Sequence, residues 1–128
     1  MKIRPLGNTP LQVTSVGLGC NNFGLRMPVE DAKPVIHKAL DLGINFFDTA
    51  DVYGHRGGSE TALGQFLGTR RKDIVIASKF GNPMDDAGTM KGASRKYMMS
   101  AVEASLKRLK TDWIDIYQLH KFDTNTPI

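Results

Sequence analysis

Apolar residues follow two spacings along this chain, and their alternation predicts a repeated strand–helix unit. Short continuous apolar runs end near positions 19, 47, 77 and 119, and apolar residues at helical spacing lie between them. A strand–helix–strand order implies a parallel sheet with right-handed crossovers. Successive strand ends are roughly 30–40 residues apart, which is the length of one βα unit. The pattern therefore predicts an α/β fold.

The predicted elements can be placed from turn and capping residues. A hairpin formed by 3–6 and 11–14 precedes strands at 15–19, 44–47, 74–77 and 114–119. The run 74–77 is apolar throughout, which predicts burial on both faces. A helix is predicted over 30–42, with Pro34 in its first turn and Gly43 just after its end. Ser59 and Ser94 are predicted to cap the next two helices, and 82–92, rich in Gly, Asp and Pro, is predicted to be a loop.

Four polar residues stand at or just beyond the ends of these strands. Asp48 ends the second strand, Lys79 and His120 follow the third and fourth, and Tyr53 lies on the segment after Asp48. In parallel barrels, reactive groups collect at the carboxyl ends of the strands. Each residue alone has an ordinary structural interpretation, as a cap, a half-buried aromatic, a solvated amine or a core imidazole. Their joint placement predicts a proton-transfer site.

The four side chains have complementary chemistry. A phenol alone is a poor acid at neutral pH, and an ammonium beside it promotes the release of its proton. Tyr53 is therefore the predicted proton donor or acceptor, with Lys79 as the group that tunes it. Asp48 is the predicted partner that keeps Lys79 charged, and His120 is predicted to orient a carbonyl group by hydrogen bonding.

These residues belong to a series of motifs that resembles the N-terminal part of the aldo-keto reductases over residues 1–128. The order and spacing of the motifs carry the resemblance. They are Gly17-Leu18-Gly19, the segment 45–54 (NFFDTADVYG), Gly58-Ser59-Glu60, Ala77-Ser78-Lys79, Ser94-Arg95-Lys96, the segment 102–106 (VEASL) and the segment 117–120 (YQLH).

The resemblance implies a parallel (β/α) TIM barrel, here the N-terminal hairpin and about four βα units. It implies the same roles for Asp48, Tyr53, Lys79 and His120 in an NADPH-dependent reduction of an aldehyde or ketone. It also implies a nicotinamide pocket lined by residues after the first strand, and the candidates are Asn21, Asn22, Phe23 and Asp48. In the family, contacts to the phosphates and adenine of NADP(H) come mainly from the last strands and helices.

Composition narrows the remaining function classes. The 128 residues are 41% hydrophobic and 23% charged, as in ordinary globular proteins. The net charge of +4 arises from dispersed bases with no nucleic-acid-binding motif, so no nucleic-acid partner is predicted. A single cysteine, Cys20, fits a reducing compartment. With neither a signal peptide nor an apolar run of about 20 residues, the predicted location is cytoplasmic, with no membrane partner.

Four alternatives to the reductase interpretation are considered. A Rossmann domain is weaker, since Asn22 stands where the third glycine of the dinucleotide fingerprint belongs. A metal site at Asp48, Asp51 and His55 is not predicted, because no ligand from the third strand joins them. Relatives with this fold also include non-catalytic, cofactor-sensing regulatory subunits.

The fourth alternative is an inactive half-barrel. A parallel barrel normally takes roughly 250 residues, so residues 1–128 are predicted to form the N-terminal half of an apparently truncated barrel. Four strands leave two unpaired sheet edges, and self-association of the half-barrel is a predicted consequence.

Overall fold

The chain forms a four-stranded parallel sheet covered on one face by three helices. A computed structural model describes residues 1–127. The strands of the main sheet are β3 (Leu18–Gly19), β4 (Phe46–Asp48), β5 (Val75–Phe80) and β6 (Ile116–Leu119), hydrogen-bonded in that order. The helices are α1 (Ala32–Asp41), α2 (Tyr53–Phe66) and α3 (Arg95–Leu109), with a short 3-10 helix at Gly68–Asp73. The predicted parallel α/β architecture is confirmed.

A separate hairpin lies at the amino end of the main strands. It consists of β1 (Ile3–Pro5) and β2 (Gln12–Thr14), paired antiparallel. Asn45, immediately before β4, joins it to the sheet: its Oδ1 accepts from the Thr14 N–H at 2.7 Å and its amide donates to the Gln12 carbonyl at 2.9 Å. The hairpin therefore lies at the end of the sheet opposite to Asp48, which is the carboxyl end.

The core lies between the sheet and the helices. Side chains alternate between the two faces of a strand, so Phe47 and Ile76 point toward the helices, where both are completely buried. They pack in one cluster with Ile36 of α1 and Leu63 of α2. Residues 74–77 are all buried, as their continuous apolar character predicts. The opposite face carries Asp48, whose register partner is Ala77.

One strand boundary and one helix cap differ instructively from the sequence-based predictions. The third strand extends to Phe80, so Lys79 lies inside the strand and not beyond it. Ser94 caps α3 by accepting from the Tyr97 N–H at 3.2 Å, as predicted. The prediction for Ser59 is wrong, because its buried hydroxyl donates instead to the Cys20 carbonyl at 2.8 Å. This bond links α2 to the segment after β3.

Gly64 sets the distance between α2 and α3. A Cβ at this position would lie 2.1 Å from the carbonyl oxygen of Arg108, which is far inside van der Waals contact. We expect Gly64→Ala to lower the free energy of unfolding by about 1–3 kcal/mol through overpacking, although Ala normally favours a helix over Gly by about 1 kcal/mol. The measurement is urea unfolding, with Gln65→Ala on the exposed side of the same helix as the control. Unchanged or increased stability of Gly64→Ala would contradict this packing.

None of the helices within residues 1–127 is both long and apolar enough to cross a membrane.

Candidate functional site

Asp48 and Lys79 meet at the carboxyl end of the sheet because of strand register. Asp48 pairs with Ala77, and Lys79 lies two residues further along β5 on the same face. The Lys79 ammonium forms a salt bridge with Asp48 and also donates to the Thr49 carbonyl at 2.9 Å. The Lys79 side chain is largely buried and that of Asp48 is partly exposed. The predicted pairing of these two residues is thus present.

Tyr53 and His120 complete the cluster from two other segments. The Lys79 Nζ lies 5.0 Å from the centroid of the Tyr53 ring. The rings of Tyr53 and His120 meet edge to face, with 5.6 Å between centroids and an interplanar angle of 85°. The His120 N–H donates to the Phe80 carbonyl at 2.8 Å, which holds His120 directly beyond β6. The structure therefore brings together all four residues predicted from the strand ends.

An unusual turn places Tyr53. Residues 54–57 all have positive φ, between 57° and 128°, although His55 and Arg56 are not glycines. Residues with side chains rarely adopt this region, and such strain is often found at functional sites. Gly54 is required here for a second reason, since a Cβ would lie 2.3 Å from the Phe23 carbonyl oxygen. The chain thus turns sharply directly after Tyr53.

His120 is electrostatically distinct. Its Nδ1 is buried and has no hydrogen-bond partner in the part of the chain that the structure describes. Burial lowers the pKa of His120, and the Lys79 ammonium lowers it further, while Asp48 opposes them. The imidazole is therefore neutral at neutral pH, and a neutral imidazole has one N–H donor and one acceptor nitrogen.

The segment after β3 differs from its prediction at one residue. Asn21 and Asn22 are exposed beyond the carboxyl end of β3, next to the edge strand that pairs with Asp48. The side chain of Phe23 is only 3% exposed and packs in the core, so it does not line an open pocket. An aromatic residue after a short strand fits either location from sequence alone, since burial of its ring depends on the helices that pack on it.

Two of the three residues considered for a metal site differ in their exposure. Asp51 is buried, whereas His55 is exposed on the left-handed turn. Residues 1–127 contain no group of three or more His, Cys, Asp or Glu side chains arranged to hold a metal ion.

A second polar cluster, which the sequence analysis missed, lies on the helix-facing side of the sheet. Glu60 of α2 is completely buried. It accepts from the Ser78 hydroxyl at 2.5 Å and from Arg108 Nε at 2.7 Å. Arg108 also donates to Ser105 at 3.2 Å. From sequence alone, Lys107 and Arg108 are both predicted to be cations in the last turn of α3. Only the contact of Arg108 with the buried Glu60 gives Arg108 a different role from Lys107.

Comparison with known proteins identifies the family of this chain. The model of the Aldo/keto reductase family matches residues 15–128. The uncharacterized oxidoreductase YqkF of Bacillus subtilis (strain 168) is 44% identical over 122 residues, which are 94% of this chain and 39% of that protein. A probable voltage-gated potassium channel subunit beta of Arabidopsis thaliana is 40% identical over 134 residues, which are 100% of this chain and 40% of that protein.

Solved structures give the same result. The aldo-keto reductase AKR11C1 from Bacillus halodurans, in its holo form, superposes with a TM-score of 0.87 at 40% identity, covering 99% of this chain and 42% of that one. The chain thus spans about two fifths of the length of the relatives it matches. The neighbours are TIM barrels, so the four-stranded sheet is part of such a barrel, as predicted. By its family match, its relatives and its fold, this chain belongs to the aldo/keto reductase family.

Proposed function

We propose that the chain carries the proton-transfer site of a carbonyl reductase that uses NADPH to reduce an aldehyde or a ketone. The observation that carries this proposal is the convergence of Lys79 and His120 on the Tyr53 ring, with Asp48 bound to Lys79. These groups come from three strand ends and one turn. A tyrosine in an ordinary structural role needs no such surroundings.

The chemistry assigned to each residue follows from its neighbours. When bound, NADPH would supply the hydride that the carbonyl carbon takes up. The Tyr53 hydroxyl gives its proton to the resulting alkoxide oxygen, and the phenolate later regains a proton from water. Lys79 stabilises the phenolate by its positive charge, and Asp48 holds Lys79 charged. The neutral imidazole of His120 donates a hydrogen bond to the carbonyl oxygen and so orients it.

The exposed residues at this edge suit a nicotinamide. Its carboxamide needs both hydrogen-bond donors and acceptors, which the side-chain amides of Asn21 and Asn22 provide. Both are exposed at the carboxyl end of the sheet, and so is part of Asp48. We assign Asn21, Asn22 and Asp48 to this contact. For Phe23 the assignment is not retained, because its ring is in the core.

The function is tested by following NADPH oxidation with a panel of short aldehydes and ketones. The protein encoded by the full open reading frame is used, because the chain spans about two fifths of its relatives. We expect oxidation that depends on the carbonyl compound and yields the alcohol. Binding of NADPH, seen by fluorescence, without turnover of any carbonyl compound would refute the reductase.

Such a result would favour the second candidate, a cofactor-sensing regulatory subunit. The 40% identity to a probable potassium channel subunit beta supports that candidate. The complete set of Asp48, Tyr53, Lys79 and His120 favours the enzyme, since a binding role alone does not require a proton donor with a tuning ammonium.

Lys79→Met is expected to lower kcat and to move or flatten the basic limb of the kcat–pH profile. The substitution keeps the length of the side chain and removes the positive charge that lies 5.0 Å from the Tyr53 ring. Initial rates of NADPH oxidation measured against pH give the profile. Lys96→Met, at an exposed position of α3, is the matched control. An unchanged profile for Lys79→Met would show that the ammonium does not act on Tyr53.

We also propose that residues 1–128 alone self-associate and bind NADPH weakly. Within the described residues, β3 and β6 each pair with a main-sheet strand on one side only, and unpaired parallel edges favour association. Trp113 and Phe122 are large apolar side chains that remain exposed. Sedimentation velocity is expected to give species larger than a monomer. A well-folded monomer with micromolar NADPH affinity would contradict this expectation.

A further inference from the structure

Asp51 is an ionisable group buried without a visible partner. It is 1% exposed, and neither of its carboxyl oxygens has a hydrogen-bond partner within residues 1–127. Buried carboxylates are nearly always paired, because removing an ion from water is costly. A carboxyl group in this environment favours its neutral, protonated form.

The groups around Asp51 strengthen that preference. Glu60 of α2 adds a negative charge that acts on Asp51, and its own carboxylate is already bound by Ser78 and Arg108. Burial and Glu60 together raise the pKa of Asp51 to about 7, while the dipole of the adjacent Val52 N–H and the charge of Arg108 oppose them. A negative charge on Asp51 contributes to the raised pKa values of the Tyr97 and Tyr117 phenols, after burial in both cases. Arg108 is the only cation among these neighbours, and it is committed to Glu60.

The backbone of Asp51 is part of the scaffold of the proposed site. Its N–H donates to the Lys79 carbonyl at 3.0 Å, and it stands two residues before Tyr53. The Tyr53 N–H in turn donates to the Ala50 carbonyl at 3.2 Å. The segment 50–53 is thus a short, hydrogen-bonded turn with the buried carboxyl on one side and Tyr53 at its end.

We propose that Asp51 is a positioning residue: while its buried carboxyl is uncharged, the segment 50–53 keeps its backbone hydrogen bonds and holds Tyr53 against Lys79 and His120. This inference rests on the proposed function of Tyr53 and adds a regulation of the same site. Ionised Asp51 would be a second negative charge buried beside Glu60 without a cation of its own. The segment then moves outward to hydrate it, and Tyr53 moves with the segment.

The sign of the linkage follows from the pKa of Asp51. The pKa in the folded chain, about 7, is above the value of 3.8 for an unperturbed aspartate. Between these two values the folded state binds more protons than the unfolded state, so stability falls as the pH rises through this window and is level above it. Asp51→Asn removes the titrating group and therefore the part of the decrease in stability with pH that Asp51 causes.

The test is an NMR titration of the full-length protein, with isotope-labelled Asp and Tyr, from about pH 5 to about pH 9. We expect the Asp51 carboxyl carbon and the Tyr53 ring signals to change together with a midpoint near the pKa of about 7. Because His120 also titrates beside Tyr53, the variant Asp51→Asn is needed to separate the effects of Asp51 and His120 on the Tyr53 signals. In this variant we expect the Tyr53 signals to lose the midpoint that they share with Asp51, while His120 still titrates. Asp112→Asn, at an exposed turn, is the matched control and keeps it.

Turnover provides an independent second readout. If Asp51 positions Tyr53, wild-type kcat falls about tenfold per pH unit above the midpoint, and Asp51→Asn does not share this fall. The NMR titration needs no turnover, so a protein without reductase activity still tests the inference. The inference would be overturned if Asp51 titrated near the usual pKa of an aspartate, or if the Tyr53 signals did not change at the midpoint of Asp51. Both observations are made on the wild-type protein, so they hold even if Asp51→Asn fails to fold.

Discussion

Replacing Tyr53 by Phe is expected to lower kcat by a factor of about 10² to 10⁴ and to leave NADPH binding nearly unchanged. The substitution removes only the hydroxyl oxygen. The ring that contacts His120 and lies above the Lys79 ammonium stays in place. Of the four residues in the cluster, Tyr53 is the one proposed to give its proton directly to the alkoxide. Lys79 helps the release of that proton. Kinetics with a carbonyl substrate and NADPH fluorescence measure the two quantities separately.

The control for this experiment is Tyr97→Phe. Tyr97 is a half-buried phenol on α3, and its hydroxyl contacts neither Lys79 nor His120 in the structure. We expect its kcat to stay within about twofold of the wild type. A kcat close to normal in Tyr53→Phe would refute the assignment of Tyr53 as the proton donor. A proportional loss of kcat and nucleotide affinity would instead indicate a structural role.

The part of the site that sequence predicted depends on strand ends alone. Parallel strands in chain order bring their carboxyl ends to one edge, so the positions of Asp48, Lys79 and His120 follow once the strands are recognised. An error of two or three residues in the end of β5 does not matter, because Lys79 keeps its face of the sheet. For that reason the cluster was predictable although the strand bounds were not.

What sequence did not predict depends on packing across elements. Ser59 has the residue type of a helix cap, but its hydroxyl donates a hydrogen bond to the carbonyl of Cys20, which is 39 positions away. Phe23, Asp51 and Glu60 are likewise buried in the folded chain, and such burial depends on packing between elements. Local propensity carries no information about such contacts. The left-handed turn at 54–57 was also missed, since two of its four residues are not glycines.

Removing the Arg108 guanidinium is expected to be among the most destabilising substitutions in this chain. Glu60 is completely buried, and Arg108, with 22% of its side chain exposed, is its only cationic partner within the described residues. Arg108→Met keeps the aliphatic stem and leaves the Glu60 carboxylate without its counter-charge. Breaking one partner of a buried pair typically costs about 3–5 kcal/mol, and the free energy of unfolding in urea measures it.

A double substitution separates two contributions to this loss: the missing attraction between Glu60 and Arg108, and the cost of a Glu60 carboxylate buried without a cation. Glu60→Gln with Arg108→Met leaves no unpaired ion, so we expect this variant to recover much of the stability lost in Arg108→Met alone. Lys107→Met, at the exposed neighbouring position, is the control for the loss of a cation from the last turn of α3 and changes stability by less than about 0.5 kcal/mol. Equal losses for Lys107→Met and Arg108→Met would mean that Arg108 acts only on the helix dipole. Because Glu60 also accepts from Ser78 on β5, a large loss confined to Arg108→Met would identify this ion pair as the contact that fixes α2 and α3 on the sheet behind the proposed site.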